Sequence, residues 1–357
     1  MIQYGAPDHY VEVTPSVPIR EGCYCIPASD TERVKLFGNP TPEVDKHIRV
    51  TFPDGQESIY SAGTPARIST TYTQSNPYRY YLSIVTVTQC DARFLREWIE
   101  FHLLVGVEHF YIYDNESPDN TCEVLMPYIR KGVITYVLWE STDPAVMSGR
   151  NAGLKRAKLE SQWVASIDTD EFIVPNKVDD LPTLLRPYEG YGALLVNWQM
   201  FGSNQVEEIP KDKLMIECLT KSLHPTADAE IEWVPGSRLA VNKHVKCILN
   251  STYVLTLPHG HVATYSGSYP VNSRFEHQKG PFMPICIEDI QLNHYFFRDL
   301  RFAREVKLER RNRYMRAYGL KDETLQMYAQ TDEDCCSTVN LSAQRFVEPL
   351  RKRMFEI

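Results

Sequence analysis

With 357 residues, 43% of them hydrophobic, 24% charged and 11% aromatic, the chain has an ordinary globular composition and room for roughly two domains. Lys and Arg number 38 against 46 Asp and Glu, and the resulting net charge of −8 argues against a whole-surface nucleic-acid binder. Nine cysteines without a paired C-x-x-C spacing exclude a disulfide scaffold or zinc ribbon, and no run of 18 apolar residues or basic-then-apolar leader marks a membrane span or secretory signal.

Residues 1–78 are punctuated by Pro and Gly, with short strand-like runs such as HIRVTF and no helical period, which predicts a small β-rich module. The aperiodic stretch 69–80, STTYTQSNPYRY, reads as the connection, with a domain boundary near residue 78. Apolar runs at 82–88, 109–114, 133–139, 163–168 and 193–201 then predict strands. Amphipathic helices are expected over 91–106 and 117–132, with Asp91 as N-cap and Gly106 as stop. The β-α-β-α-β order gives an α/β class with a mostly parallel sheet. Residues 301–323 read as a basic helix whose charges offset an acidic site, touch an anionic membrane surface or face solvent. Residues 316–357 read as a helical and polar tail.

Parallel sheets bind ligands beyond the carboxyl ends of their strands, which singles out residues 88–91, 114–117 and 168–171. Neither G-x-G-x-x-G after the first strand nor G-x-x-x-x-G-K-[ST] occurs, so ordinary dinucleotide and P-loop readings fail. In SQWVASIDTDEFIVP (161–175), Asp168 and Asp170 leave an apolar strand at i and i+2. Such a pair can hold Mg²⁺ or Mn²⁺ whose shell is completed by phosphate oxygens, a grip suited to a nucleotide diphosphate. A second D-x-D, Asp332 and Asp334, lies in the polar run QTDEDCCST and reads as solvated loop. Phe172, where aspartyl-nucleophile phosphatases carry Thr or Val, argues against that class.

The blocks EWIEFHLLVGVEHFYIYDNESPDN (97–120), WVASIDTDEFIVP (163–175), NWQMFGS (197–203), VKCILN (245–250) and LNHYFFRD (292–299) stand in the order seen in glycosyltransferase family 92. The chain resembles that family over roughly residues 80–315. The resemblance implies a GT-A fold and a metal-dependent, inverting transfer of galactose from UDP-galactose to a glycan hydroxyl, forming a β linkage. It matches Asp168 and Asp170 to the metal pair and His294 to a C-terminal histidine that returns to the metal or diphosphate. Asp114 matches the acid that contacts uridine or ribose. Thr88 and Asp91 are further donor-side candidates, although Gln89, Cys90 and Asp91 replace the usual Lys-Asn-Glu.

Arg150 and Asn151 either contact the donor or form a solvated helix start. For the catalytic base, Glu207 and Glu208 are candidates against a plain role as turn residues. Trp198 and Phe201 form an acceptor platform or core, and His259 and His261 are acceptor-side or structural. The implied partners are a UDP-sugar and an oligosaccharide acceptor, with a homodimer and peripheral membrane contact as open readings. The N-terminal module is a candidate carbohydrate-binding unit, as in some plant relatives. Without a visible signal the chain is expected in a cytoplasm, or in the Golgi lumen if an anchor has been removed. The alternative function is a non-catalytic carbohydrate-binding protein with a relic transferase core.

Overall fold

A computed structural model of the chain describes all residues except 7–8, 21–22, 41–45, 52–56, 62–64, 70–77, 141–146, 227–228 and 356–357. Most of the expected connection at 69–80 therefore lies outside the described residues.

The main sheet begins with β1 (Tyr80–Thr88), β2 (His109–Asp114) and β3 (Ile134–Leu138), joined by α1 (Ala92–Leu104) and α2 (Thr121–Arg130). After α3 (Met147–Glu160) it continues with β4 (Ser161–Ser166), β5 (Glu171–Pro175), β6 (Ala193–Met200), β7 (Val245–Asn250) and β8 (Ile290–His294). Strand order is β3-β2-β1-β4-β7-β6-β8-β5, with Pro270–Val271 as a short extra strand beside β6. Pairing is parallel from β3 to β4 and between β6 and β8, and antiparallel at β4/β7, β7/β6 and β8/β5. The expected α/β, mostly parallel architecture is what the chain adopts. Its strands are buried on both faces because α1 and α2 cover one side, and α3 with the hairpin of Val254–His259 and Val262–Tyr265 covers the other.

The α1 helix buries Phe94, Leu95, Trp98, Ile99 and Phe101 against the sheet. It stops before Gly106, whose φ of +96° and approach to the Pro182 ring leave no room for a Cβ. On the opposite face Gly153 lets α3 lie tightly on the strands, since a Cβ there would meet Val85 at 2.6 Å.

The N-terminal module is β-rich as predicted: one sheet holds Ile2–Ala6, His9–Glu12, His47–Thr51 and Glu57–Tyr60, and another holds Ile19–Arg20, Cys23–Ile26 and Ala66–Ser69. They enclose a separate core around Tyr4, Ile48, Val50 and Ile68. The module also contains a helix, Asp30–Phe37, that has no apolar period to announce it. Its buried anchor is Arg33, whose guanidinium donates to the carbonyls of Pro27 at 2.8 Å and Tyr60 at 3.1 Å.

The C-terminal residues are not a detached polar tail. Phe346 and Leu350 join the main core, and the helix Val347–Phe355 lies against α1. Asp332, expected in a solvated loop, is 2% exposed in the helix Leu325–Asp334. Its carboxylate accepts from the N–H of Ser203 at 2.6 Å and from its hydroxyl at 2.5 Å, fastening this segment to the exit of β6. No helix among the described residues is long and apolar enough to cross a membrane.

One buried acid gives the fold a pH signature. Glu97 accepts the N–H groups of Met215 at 2.7 Å and Ile216 at 3.0 Å, and burial pushes its pKa up to about 7. The folded chain then retains a proton that the unfolded chain releases above about pH 4.5, so this contribution to stability is full below that pH and is lost as pH rises to about 7. Glu97→Gln removes the titrating group, keeping an acceptor for one of the two amides, and should flatten this slope, worth on the order of 3 kcal/mol, whatever the change in overall stability. Denaturant midpoints measured from pH 5 to pH 8 check it.

Candidate active site

A cavity of about 530 Å³ opens beyond the carboxyl ends of β1, β2 and β4. Its centre is the turn from β4 into β5, where Asp168, Thr169 and Asp170 precede Glu171. Glu171 is fully buried and braces the turn: its carboxylate accepts from the Asp168 N–H at 2.7 Å and from Trp198 Nε1 at 2.8 Å. Phe172 points the other way, into the core against Phe101 and Tyr295. One strand register brings His294 in, because β5 pairs with β8 so that Glu171 faces His294.

Around these acids stand cations from three separate elements. Arg150 of α3 and Lys246 of β7 both donate to Asp168, the latter at 2.6 Å. Lys246 also lies 3.5 Å from Glu171. Lys307 donates to Asp170, whose other oxygen is 3.5 Å from His294 Nε2. Burial alone would raise both aspartate pKa values. Arg150 and Lys246 outweigh it at Asp168, as Lys307 does at Asp170, and both carboxyls are held well below the usual range. Glu171 goes the other way, raised chiefly by burial.

Asp91 joins this cluster from the exit of β1. It pairs with Arg298 at 2.6 Å and Arg310 at 3.2 Å, and accepts from Thr169 Oγ1 at 2.6 Å and Thr88 Oγ1 at 3.4 Å. Burial would raise its pKa, but Arg298 and Arg310 overturn that and take it down to about 2. Asp91 thereby ties the first strand, the D-x-D turn and the C-terminal region together.

Several sequence candidates are placed differently. Asp114 sits at the exit of β2, but its carboxylate accepts from Tyr136 at 2.7 Å and the Ser117 N–H at 3.0 Å, and Asn115 and Glu116 form the cavity wall there. The Asn151 side chain does not reach the cavity: its amide bonds Met147 O and both backbone groups of Leu257, clamping α3 to the neighbouring hairpin. Glu207 and Glu208 lie on the surface outside the cavity, engaged by Arg304 and Arg301 respectively. They lie in the loop beyond β6, past Trp198, which lines the cavity, and Arg304 and Arg301 hold them at the surface. Phe201 is buried in the core, whereas Trp198 reaches the cavity with its ring 4.4 Å from His294 and 4.8 Å from His261. His259 is exposed and His261 lines the cavity.

Sequence reasoning missed Lys246 and Arg298, whereas Lys307 and Arg310 belong to the basic stretch 301–323, for which the charge-offsetting reading is the one these contacts favour. The signal for the missed pair lay in the VKCILN and LNHYFFRD blocks, while a basic amphipathic helix ordinarily faces water. Here a π-helical turn, Ala303–Lys307, precedes the α-helix Leu308–Ala317, for which we use α4, and Lys307 and Arg310 turn into the cavity.

The carboxylate and imidazole groups at the turn are hard or borderline donors of the kind that divalent cations take. Asp168, Asp170 and His294 line the cavity, and the 3.5 Å spacing of Asp170 and His294 Nε2 suits neighbouring ligands of one ion. Among the described residues no group of three His, Cys, Asp or Glu side chains is drawn close enough to hold an ion unaided. The residues therefore fit a cation only with phosphate oxygens on its remaining face, the usual manner for Mg²⁺.

Removing Asp91 should strand a fully buried guanidinium. Asp91→Ala is expected to destabilise the fold by about 3–5 kcal/mol. A denaturant titration at pH 7 checks this, and a change of under about 0.5 kcal/mol would be typical of a plain surface site.

The family model for glycosyltransferase family 92 matches residues 84–331. A family 92 protein of Oryza sativa subsp. japonica is 36% identical over 139 residues, covering 36% of this chain and 23% of the relative. One from Arabidopsis thaliana is 28% identical over 162 residues, covering 41% and 28% respectively. The chain spans about a quarter of the length of these curated relatives. Among solved structures, that of residues 1–349 of S. aureus TarS superposes with a TM-score of 0.34 and 12% identity over 74% of this chain and 72% of that one. With the matched region running from β1 past α4, the chain belongs to glycosyltransferase family 92.

Proposed function

We propose that the chain is an inverting glycosyltransferase that moves a hexose, with galactose from UDP-galactose the foremost donor, onto a glycan hydroxyl to form a β-glycosidic bond. The observation that carries this reading is the cavity floor. Two ionised aspartates at a strand exit line the cavity together with Lys307 of the π-helical turn, and are paired with Arg150 of α3 and Lys246 of β7 as well as with Lys307.

A nucleotide diphosphate needs positive charge along its phosphates and a polar cradle for its nucleoside. Arg310, Arg311 and Arg313 line the same cavity as Lys307 and give it a strongly cationic wall. Thr88, Asn115 and Glu116, at the exits of β1 and β2, offer hydroxyl, amide and carboxylate groups to the nucleoside side. Mn²⁺ or Mg²⁺ held by Asp168, Asp170 and His294 would supply Lewis-acid charge to the departing diphosphate.

The chain's own groups perform the remaining work. Lys307, which lines the cavity and pairs with Asp170, is positioned to donate to phosphate oxygens once that carboxylate has another partner, while Lys246 holds Asp168 in place. Charge that develops on the leaving group is thus met by donors already oriented and partly removed from water. Trp198, fixed by its indole bond to Glu171, forms an apolar wall that excludes water from the reacting end. Inversion in one displacement requires the acceptor hydroxyl to approach from the side opposite the diphosphate, with a base within hydrogen-bond reach. Glu207 and Glu208, outside the cavity, are poorly placed for that task.

The test is UDP release from a panel of UDP-sugars, with Mn²⁺ and with EDTA. Wild type should release UDP with Mn²⁺ and fall sharply with EDTA, and Asp170→Ala should lose at least about 10²-fold, the scale of removing a key electrostatic group. No release of UDP from any donor would refute the reading.

A further inference from the structure

A second cavity, of about 380 Å³, lies beside the first and is reached around the hairpin Val254–His259 and Val262–Tyr265. His261, just past the hairpin tip, is the residue common to both linings. The second lining combines the aromatic side chains of Tyr265, Tyr269 and His277 with the polar groups of Gln278 and Lys279. Tyr269 is 39% exposed, packs its ring 4.7 Å from His277, and is fixed through its carbonyl, which accepts the Gly192 N–H at 2.8 Å. Exposed aromatic faces with nearby amide and ammonium donors suit a neutral, polyhydroxylated ligand: the apolar face of a sugar stacks on the ring and its hydroxyls find partners. The volume lies within the range of small-ligand pockets.

His261 has the geometry of a proton acceptor. Its Nδ1 is 2.8 Å from the carbonyl oxygen of Val245. A carbonyl only accepts, so Nδ1 carries the hydrogen and Nε2 keeps its lone pair. Nε2 has no hydrogen bond to any described residue. Burial, with Lys246, His244 and His259 around the ring, keeps the imidazole pKa well below its ordinary value, so the neutral form prevails at pH 7.

We infer that the second cavity is the seat of the glycan acceptor and that His261, at its junction with the donor cavity, is the base for the transfer. The inference rests on the transferase reading given above. In the step, the acceptor O–H bond breaks and its proton passes to His261 Nε2. The oxygen forms a bond to the anomeric carbon, and the bond from that carbon to the diphosphate breaks with its electron pair leaving on UDP. The imidazolium then returns its proton to water. The hairpin thus does two things: it separates the two substrates' binding spaces and carries the group that connects them.

The test uses the full chain and three measurements: UDP binding with Mn²⁺, oligosaccharide contact by saturation-transfer NMR, and kinetics. The probes are UDP-galactose and a set of neutral oligosaccharides of about two to six hexose units, sized to a pocket of this class. Tyr269→Ala should raise the acceptor KM about tenfold and weaken the NMR contact while UDP affinity is kept, a loss on the scale of one stacking contact. His261→Gln should lower kcat by about 10²–10⁴-fold with UDP affinity and oligosaccharide contact retained. The inference is overturned if the wild type binds UDP but contacts none of the oligosaccharides, if Tyr269→Ala leaves the acceptor KM unaltered, or if His261→Gln keeps kcat within about twofold, far short of a lost base. Absence of UDP binding by the wild type would instead remove the transferase reading beneath it, and the base assignment with it.

Discussion

Three carboxylates within four consecutive residues have to be held beside one another, Asp170 and Glu171 buried and Asp168 half-buried, and the rest of the main domain is arranged to make that tolerable. Buried like charges repel and lose hydration, so each requires a cation at close range. Arg150, Lys246 and Lys307 come from a helix, an antiparallel strand and the C-terminal helical region, far apart in sequence. Folding of these elements is therefore coupled to assembly of the site. Asp91 extends the same constraint to the first strand through Arg298 and Arg310.

This coupling explains why the C-terminal helices, through Phe355, are built into the domain. Lys307 has to reach Asp170, so the chain beyond β8 turns back over the cavity before the remaining helices pack on α1 and the exit of β6. Asp332 is the clasp on that return path. A carboxylate with two donors from Ser203 is satisfied without a cation, which distinguishes this second D-x-D chemically from the first.

The parallel half of the sheet was legible in the sequence because each strand is a β-branched or aromatic run and α1 and α2 carry clear apolar stripes. Asp168 and Asp170 were legible because an apolar strand runs directly into them and Phe172 follows. The order of the other half was not: β7, β6, β8 and β5 pair runs separated by long connections, and local period carries no information about which distant strand becomes a neighbour. The helix Asp30–Phe37 escaped notice because it buries an arginine rather than an apolar stripe. Asp332 was read as solvated because its partner, Ser203, is 129 residues away. For the same reason Lys246 and Arg298, which meet their acids through tertiary contacts, carried no signal of their own.

The account stands or falls on whether the aspartate cluster receives a metal-bound nucleotide diphosphate. Equilibrium binding of UDP to the full chain, measured calorimetrically with Mn²⁺ and again with EDTA, tests this directly. The account predicts saturable binding that Mn²⁺ tightens at least about tenfold, or about 1.4 kcal/mol. Binding of UDP with the same affinity in both conditions, or no binding in either, would contradict it.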